Sequence, residues 1–291
     1  MHKICSINIR PEDKESLGFL ETVVEKLSAK GIKVLLPDYE IIAKSGLAGY
    51  IKNSEQFHNQ PDLVISVGGD GTLLHTVRIF PAGIPVLGIN KGRLGFLTEF
   101  MPDEALNYLD KIVNKEYQIE ERDMLDIIHK RDNEELSRIS FLNDAAISRG
   151  VYSRPITMYL EIDGKAINFF SGDGLIISTS TGSTAYSLSA GGPIINPVIK
   201  GIFLVMPVCP HTLAMRPLII PGSSVLKVRL GSGFSNTVMA VDGHEFVPVK
   251  GDDELIFSAS KKKTGLIAHP DKNFYEVLKQ KFSWGKQYNA S

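Results

Sequence analysis

Residues 62–67 (DLVISV) form an almost continuous apolar run that ends in Gly68-Gly69-Asp70-Gly71-Thr72. A strand that is apolar on both faces must be covered on both faces, the condition met in a parallel sheet flanked by helices. The glycines that follow permit a tight turn and a close approach of backbone to a ligand. A helical stretch over 72–80 comes next. Strand, glycine-rich turn and helix in that order point to an α/β unit.

The neighbouring segments keep that alternation. Residues 4–9 read as a short strand, and Leu17, Leu20, Val24 and Leu27 then recur at helical spacing, with Gly31 at the C-cap. Residues 33–36 read as a strand stopped by Pro37, and 38–59 carry only weak signals. Residues 85–90 (PVLGIN) read as the next strand, and 102–115 as a helix with Leu106, Leu109 and Val113 on one face. The first 120 residues are thus expected to form a doubly wound, Rossmann-like α/β domain.

The texture changes near residue 120. Short alternating runs follow at 124–130, 137–148, 156–162, 165–170 and 173–179, then at 202–208, 225–230, 236–241, 246–250 and 254–259. Asp163-Gly164 is a hairpin signal between two of them. The pattern predicts an all-β domain of sandwich type over 121–267. Lys261-Lys262-Lys263 reads as a solvated turn. A helix candidate over 273–281 places 268–291 as a segment returning to the first domain. A length of 291 residues suits two domains at roughly 150 residues each.

Charge is balanced: 32 Lys and Arg against 33 Asp and Glu leave −1. That argues against a generally basic nucleic-acid binder and against an acidic disordered chain. Cys5 and Cys209 are the two cysteines, too few for a disulfide scaffold or a structural zinc site. The opening MHKICSINIRPEDK lacks the apolar stretch of a signal peptide, and no run approaches the ~18 apolar residues of a membrane span. A cytoplasmic protein with no membrane and no nucleic-acid partner is expected.

Four segments could carry chemistry. Gly68, Gly69, Gly71 and Thr72 can form a phosphate loop whose amides open a helix. Asp70 is the odd member, because a carboxylate repels a phosphate unless it acts as a base or helps hold Mg²⁺. A plain strand–helix turn with Asp70 as N-cap is the competing reading. Residues 172–193 concentrate hydroxyls and glycines, Ser180, Thr181, Ser183, Thr184, Ser187 and Ser189 among them, and suit either a nucleotide or a capping loop. Asn143-Asp144 can bind ribose hydroxyls or form an ordinary turn. Val241-Asp242-Gly243-His244 reads first as a hairpin turn.

Together these segments resemble the NAD kinases, ATP-dependent enzymes that phosphorylate NAD to NADP. The resemblance runs from about 62 to 267. It rests on GGDGT (68–72), INKGRLGFLTE (89–99), LNDAAISRG (142–150), GDGLIISTSTGSTAYSLSAGGPIINP (172–197), MPVCPHTLAMRPLIIP (206–221) and VDGHE (241–245). GGDGT is shared with lipid and sugar-phosphate kinases, whereas 172–197 and PHTLAMRPL are far more specific.

The resemblance implies that Asp70 is the catalytic base. It implies NAD contacts at Asp70, Gly71, Asn143, Asp144, Asp173, Thr184, Ala185, Tyr186, Ser187, Leu188 and Ser189, with Arg154 and His244 as further ones. The family's fold is an N-terminal α/β domain and a C-terminal β domain, the chain end returning to the first. ATP is the implied phosphoryl donor, with Mg²⁺ or another divalent metal held through its phosphates rather than by protein ligands. Members are homodimers or homotetramers whose NAD site draws on two subunits. Asp144 stands where many members have Glu, Ser171 where many bacterial members have Arg, and His244 where Gln or Asn is common. Another GGDGT-type kinase, or a non-catalytic NAD-binding regulator, are the alternatives.

Overall fold

The computed structural model describes residues 1–92, 94–150, 154–231 and 237–283. Arg93 of the 89–99 motif, Asn236 of an expected strand and 284–291 of the expected returning segment lie outside the described residues. The chain divides into two compact units: Met1–Glu121 together with the stretch from Thr264 onward, and Arg122–Lys263.

The first unit is α/β. Strands β1 (Ile4–Asn8), β2 (Lys33–Leu35), β3 (Leu63–Gly68) and β4 (Val86–Asn90) pair in parallel in the order β2-β1-β3-β4. Helix α1 (Leu17–Ala29) buries Leu20, Val23, Val24 and Leu27, and Gly31 follows it at φ 75°. The weakly patterned stretch forms two short helices, α2 (Glu40–Ala43) and α3 (Ser54–Asn59). Helix α4 (Asp70–Ile79) begins two residues earlier than the sequence reading has it, with Gly69 as its N-cap. Helix α5 (Pro102–Val113) starts on a proline, and Glu104 accepts from the Met101 amide at 2.7 Å.

All six residues of β3 are buried, as a strand covered on both faces must be. In this order the topological switch falls between β1 and β3, and ligands in such sheets bind beyond the carboxyl ends of the strands there. Gly68 is the carboxyl end of β3.

The second unit is all-β, with two antiparallel sheets. Its strands are β5 (Ile119–Arg131), β6 (Glu134–Phe141), β7 (Asp144–Arg149), β8 (Ile156–Ile162), β9 (Lys165–Gly172), β10 (Gly174–Thr179), β11 (Ile202–Val208), β12 (Leu218–Pro221), β13 (Leu226–Leu230), β14 (Thr237–Val241), β15 (Glu245–Val249) and β16 (Glu254–Ile267). The ends of β5 and β16 run into the first unit's residues. One sheet runs β12-β11-β10-β7-β14-β15. The other contains β16-β13-β8-β9. A single core joins inward residues of both, including Ile147, Leu175, Val205 and Met239 from the first and Met158, Leu160, Val228 and Phe257 from the second. That is the sandwich arrangement. A short helix, α6 (Tyr186–Ser189), follows β10.

Two expectations are corrected. The run 137–148 is not one strand: it breaks at Leu142-Asn143, and β6 and β7 go to different partners. Lys261–Lys263 is not a turn but an exposed part of β16, because alternate residues of that strand are covered while the lysines face solvent. The end of β16 pairs in parallel with β4, Leu266 opposite Val86. Lys272 then donates to Glu104 at 2.6 Å and to the Glu99 carbonyl at 2.7 Å. The final helix, α7 (Phe274–Phe282), is capped by Asn273, which accepts from Tyr275 and Glu276 amides at 3.0 Å.

Phe257 is fully buried in the sandwich core. Phe257→Ala is expected to lower the unfolding free energy by about 3–5 kcal/mol, through lost burial plus the cavity left behind, as read by chemical denaturation.

Candidate active site

In the first unit the site is built around Asp70. Its Oδ1 accepts from the amides of Leu97 (3.1 Å) and Thr98 (3.0 Å) and from the Thr98 hydroxyl (2.9 Å). Its Oδ2 accepts from the Phe96 amide at 2.7 Å. The competing reading of Asp70 as the N-cap of its own helix therefore fails: α4 has no side-chain cap at its start, and the carboxylate is held by a loop 26 to 28 residues away. Three successive amides converging on one carboxylate make an anion-binding concavity. A β-carbon on Gly95 would overlap Asp70 Oδ1, so only glycine lets this loop come so close.

Gly68, Gly69, Gly71 and Thr72 form the turn into α4. Thr72 is buried, and its hydroxyl accepts from Arg10 Nε at 3.1 Å. Arg10, just past the end of β1, thus brings a cation to the loop across the switch point. The linear sequence shows no cation beside GGDGT, and Arg10 carries no motif that singles it out.

The second unit holds the other predicted residues. Asn143 lies in the turn after β6, and Asp144 opens β7. Their position is set by Asp242, whose carboxylate accepts from the amides of Leu142 (2.9 Å), Asn143 (2.7 Å) and Asp144 (3.1 Å). The hairpin reading of 241–244 is correct as local structure: Asp242 and Gly243 take φ of 48° and 68° between β14 and β15. What sequence reasoning missed is that the turn's aspartate reaches back some hundred residues to clamp this segment. An Asp-Gly dipeptide signals the turn and not the clamp.

The hydroxyl-rich segment packs on the same turn. Thr179 donates its hydroxyl to the Leu142 carbonyl at 2.6 Å and its amide to the Asn143 carbonyl at 3.0 Å. A β-carbon on Gly182 would overlap the Asn143 backbone. The Tyr186 amide donates to Asp144 Oδ2 at 3.4 Å. Thr184 and Ala185 lead into α6, in which Ser187 is buried while Tyr186 and Ser189 are exposed and Leu188 is half-buried. Asn143 Oδ1, Thr181 Oγ1 and Ser187 Oγ are buried and find no hydrogen-bond partner among the described residues. His244 is exposed and acts electrostatically on Asp242.

Two predicted residues are not brought to this cluster. Asp173 pairs with Arg149 at 2.9 Å. Ser178 lies opposite Asp144 but Gly174 opposite Ser148, so Asp173 sits at the far end of the β7–β10 pair, roughly 17 Å away at about 3.4 Å per residue. Arg154 is exposed near that same end, where Ile156 faces Gly172. Ser171 there bonds Thr157 through its hydroxyl at 2.8 Å. A cavity of about 910 Å³ along β8 and β9, lined by Tyr159, Phe169 and Arg229, holds none of the predicted residues.

The two aspartates at the turn share a buried setting. Burial, and then the charge of Asp242, raise Asp144 to about 7, and the Tyr186 amide opposes them. Burial raises Asp242 too, against the opposing pull of its three amides and His244.

A parallel sheet with a glycine-rich helix start at its switch point, carried on one chain with a β-sandwich bearing a hydroxyl-rich loop, defines a two-unit nucleotide phosphotransferase. Residues 7–117 match the ATP-NAD kinase N-terminal domain, and 142–269 match the ATP-NAD kinase C-terminal domain. An NAD kinase of Geotalea daltonii is 36% identical over 98% of this chain and 100% of its own length. One of Magnetococcus marinus is 38% identical over 81% of this chain and 78% of its own. Yeast NADH kinase, crystallised with NADH, superposes with a TM-score of 0.90 at 25% identity, over 99% of this chain and 90% of that one. An NAD kinase of Archaeoglobus fulgidus, solved with ATP, shares the fold at a TM-score of 0.76 and 24% identity, over 97% and 100% of the two chains. The chain belongs to the NAD kinase family, the enzymes that phosphorylate NAD.

Asp144 is held at about 7 in the folded protein, against an ordinary 3.8. The native state therefore binds the extra proton, and its contribution to stability falls as pH rises from about 4 to about 7. Asp144→Asn is expected to melt higher than the natural protein at pH 8, with the difference shrinking at pH 5, in paired thermal melts without ligand.

Proposed function

We propose that this family member transfers the γ-phosphoryl group of ATP to the 2′-hydroxyl of the adenosine ribose of NAD, making NADP and ADP. Asp70 is the base. Among the described residues Oδ1 accepts three hydrogen bonds and Oδ2 one, so Oδ2 keeps the lone pair that takes the hydroxyl proton. The ribose oxygen then bonds the γ-phosphorus. The bond from that phosphorus to the bridging oxygen breaks, and ADP leaves with the electron pair.

In a loose phosphoryl-transfer transition state most catalysis is positioning and neutralisation of charge. The Gly68, Gly69, Gly71 and Thr72 turn at the start of α4, with the Arg10 guanidinium, is suited to the triphosphate, although the Thr72 amide is itself engaged with the Gly69 carbonyl at 2.9 Å. Among the described residues no group of three or more His, Cys, Asp and Glu could hold a metal. Mg²⁺, or another divalent metal, would be held through the ATP phosphates, where it would neutralise their charge.

One observation carries the NAD assignment. Asn143 Oδ1, Thr181 Oγ1 and Ser187 Oγ are buried without a partner among the described residues. Each such group costs about 1–3 kcal/mol unless something satisfies it, and ribose or amide groups of NAD would do so. Asp144, Thr184, Ala185, Tyr186, Leu188, Ser189 and His244 border the same turn and complete that contact surface. Asp173 and Arg154 lie too far away in one chain to join it, which favours a homodimer or homotetramer in which a partner copy supplies them. Two free thiols, Cys5 and Cys209, suit a reducing, cytoplasmic setting.

The test is incubation with ATP, Mg²⁺ and NAD, followed by detection of NADP with an NADP-specific dehydrogenase. NADP is expected to form, and NAD binding without NADP would overturn the assignment. Asp70→Asn is expected to lose roughly 10²–10⁴-fold in rate, and near-normal turnover would remove Asp70 as the base. That substitution also sets an NH₂ group against the amides of 96–98, so a melting curve accompanies the assay.

A further inference from the structure

We propose that Thr98 is the positioning residue for Asp70, acting through a buried chain that runs from Asn90 to Thr98 to the carboxylate. The inference rests on the reading of Asp70 as the base. No role falls to Thr98 or Asn90 from the motif that contains them.

The direction of every bond in this chain is determined. Asn90 is the last residue of β4 and lies opposite Gly68 of β3, so its backbone belongs to the sheet. Its Oδ1 accepts from the Gly92 amide at 2.8 Å. That fixes the amide orientation and leaves Nδ2 to donate to Thr98 Oγ1 at 2.9 Å. The Thr98 oxygen is thereby an acceptor toward Asn90, and its own proton is sent to Asp70 Oδ1, also at 2.9 Å. Asn90 is 2% exposed and Thr98 fully buried, so water does not compete.

The consequence is an asymmetric carboxylate. Thr98 supplies two of the three donors on Oδ1. It locks the rotation of the carboxyl group and turns Oδ2 into the oxygen that can receive a proton. A threonine hydroxyl aimed by a fixed amide does this with no motion at the moment of reaction.

Thr98→Val keeps the backbone amide and the shape and removes only the hydroxyl. The expected result is a fall in kcat of about 10- to 100-fold from misplacement of the base, with KM for NAD and for ATP changed by no more than about threefold. One donor fewer makes the carboxylate easier to protonate, so the acidic limb of the kcat–pH profile moves upward. Among the described residues, the charged and titratable side chains on the elements around Asp70 are Arg10, His75, Arg78, Glu99, Lys281, which lies over the Phe96 ring, and Lys91, paired with Asp13 at 3.9 Å. All of them are unchanged in the variant, so a moved limb reads the lost hydroxyl. Thr98→Ser is expected to restore both kcat and the limb.

A Thr98→Val enzyme with natural kcat and limb overturns the inference. So does a loss of kcat with an unmoved limb that serine fails to restore, since that is a packing effect. Should Thr98→Val not fold, Thr98→Ala removes the hydroxyl together with the methyl and is read by the same criteria. Asp70→Asn assayed alongside separates the two failures. Normal turnover there removes Asp70 as the base, whereas an inactive Asp70→Asn beside an unaffected Thr98→Val removes only the role of Thr98.

Discussion

Each unit's candidate residues depend on the same kind of interaction, an aspartate carboxylate accepting hydrogen bonds from three successive backbone amides of a loop remote in sequence. Asp70 does this for 96–98 and Asp242 for 142–144. Bonds to an ionised acceptor are about twice as strong as neutral ones. Three of them directed at one group shape a loop that has no regular structure of its own. Remove the carboxylate and three amides lose a common acceptor, so the loop and whatever it presents lose their shape together.

The scaffolds make these clamps possible. In the first unit, β3 is buried on both faces and delivers Gly68 and Asp70 to the switch point, while β4 runs parallel to it and delivers Asn90 in register with Gly68. The loop after β4 returns to the carboxylate because Gly95 has no side chain to hold it away. In the second unit, β14 pairs with β7 in antiparallel register, Val241 opposite Ala145, which sets the Asp242 turn beside the start of β7. Strand pairing thus brings residues a hundred positions apart within hydrogen-bond reach.

The apolar run of β3, the helical spacing on α1 and most of the short alternating strands after residue 120 are local signals that became the elements expected. Where two elements abut with no turn dipeptide, as at Leu142-Asn143, the alternation looked continuous and hid a change of partner. Lys261–Lys263 looked like a turn because an exposed strand with its lysines in solvent has the same composition as a loop. Among the candidate residues of the two units, Asp70, Asn143, Asp144 and the hydroxyl-rich segment were visible because unusual residue types cluster in their stretches of sequence. Asp242, Thr98, Asn90 and Arg10 were not visible as contributors, because their work is done on atoms far along the chain and an Asp-Gly or a lone threonine has an ordinary local explanation.

The sequence by itself determined the α/β and all-β character of the two regions and the residue types available for phosphoryl transfer, since these follow from hydrophobic period and from side-chain chemistry that travel with the chain. The tertiary structure alone decided how those residues are used. It bound Asp70 to 96–98 rather than to its own helix, left Asn143, Thr181 and Ser187 with polar atoms unanswered among the described residues, and kept Asp173 at the far end of the β7–β10 pair with Arg154 near that end. Hydrogen bonds act over about three ångströms, and which atoms come that close is a property of strand order and register that no local stretch of sequence contains.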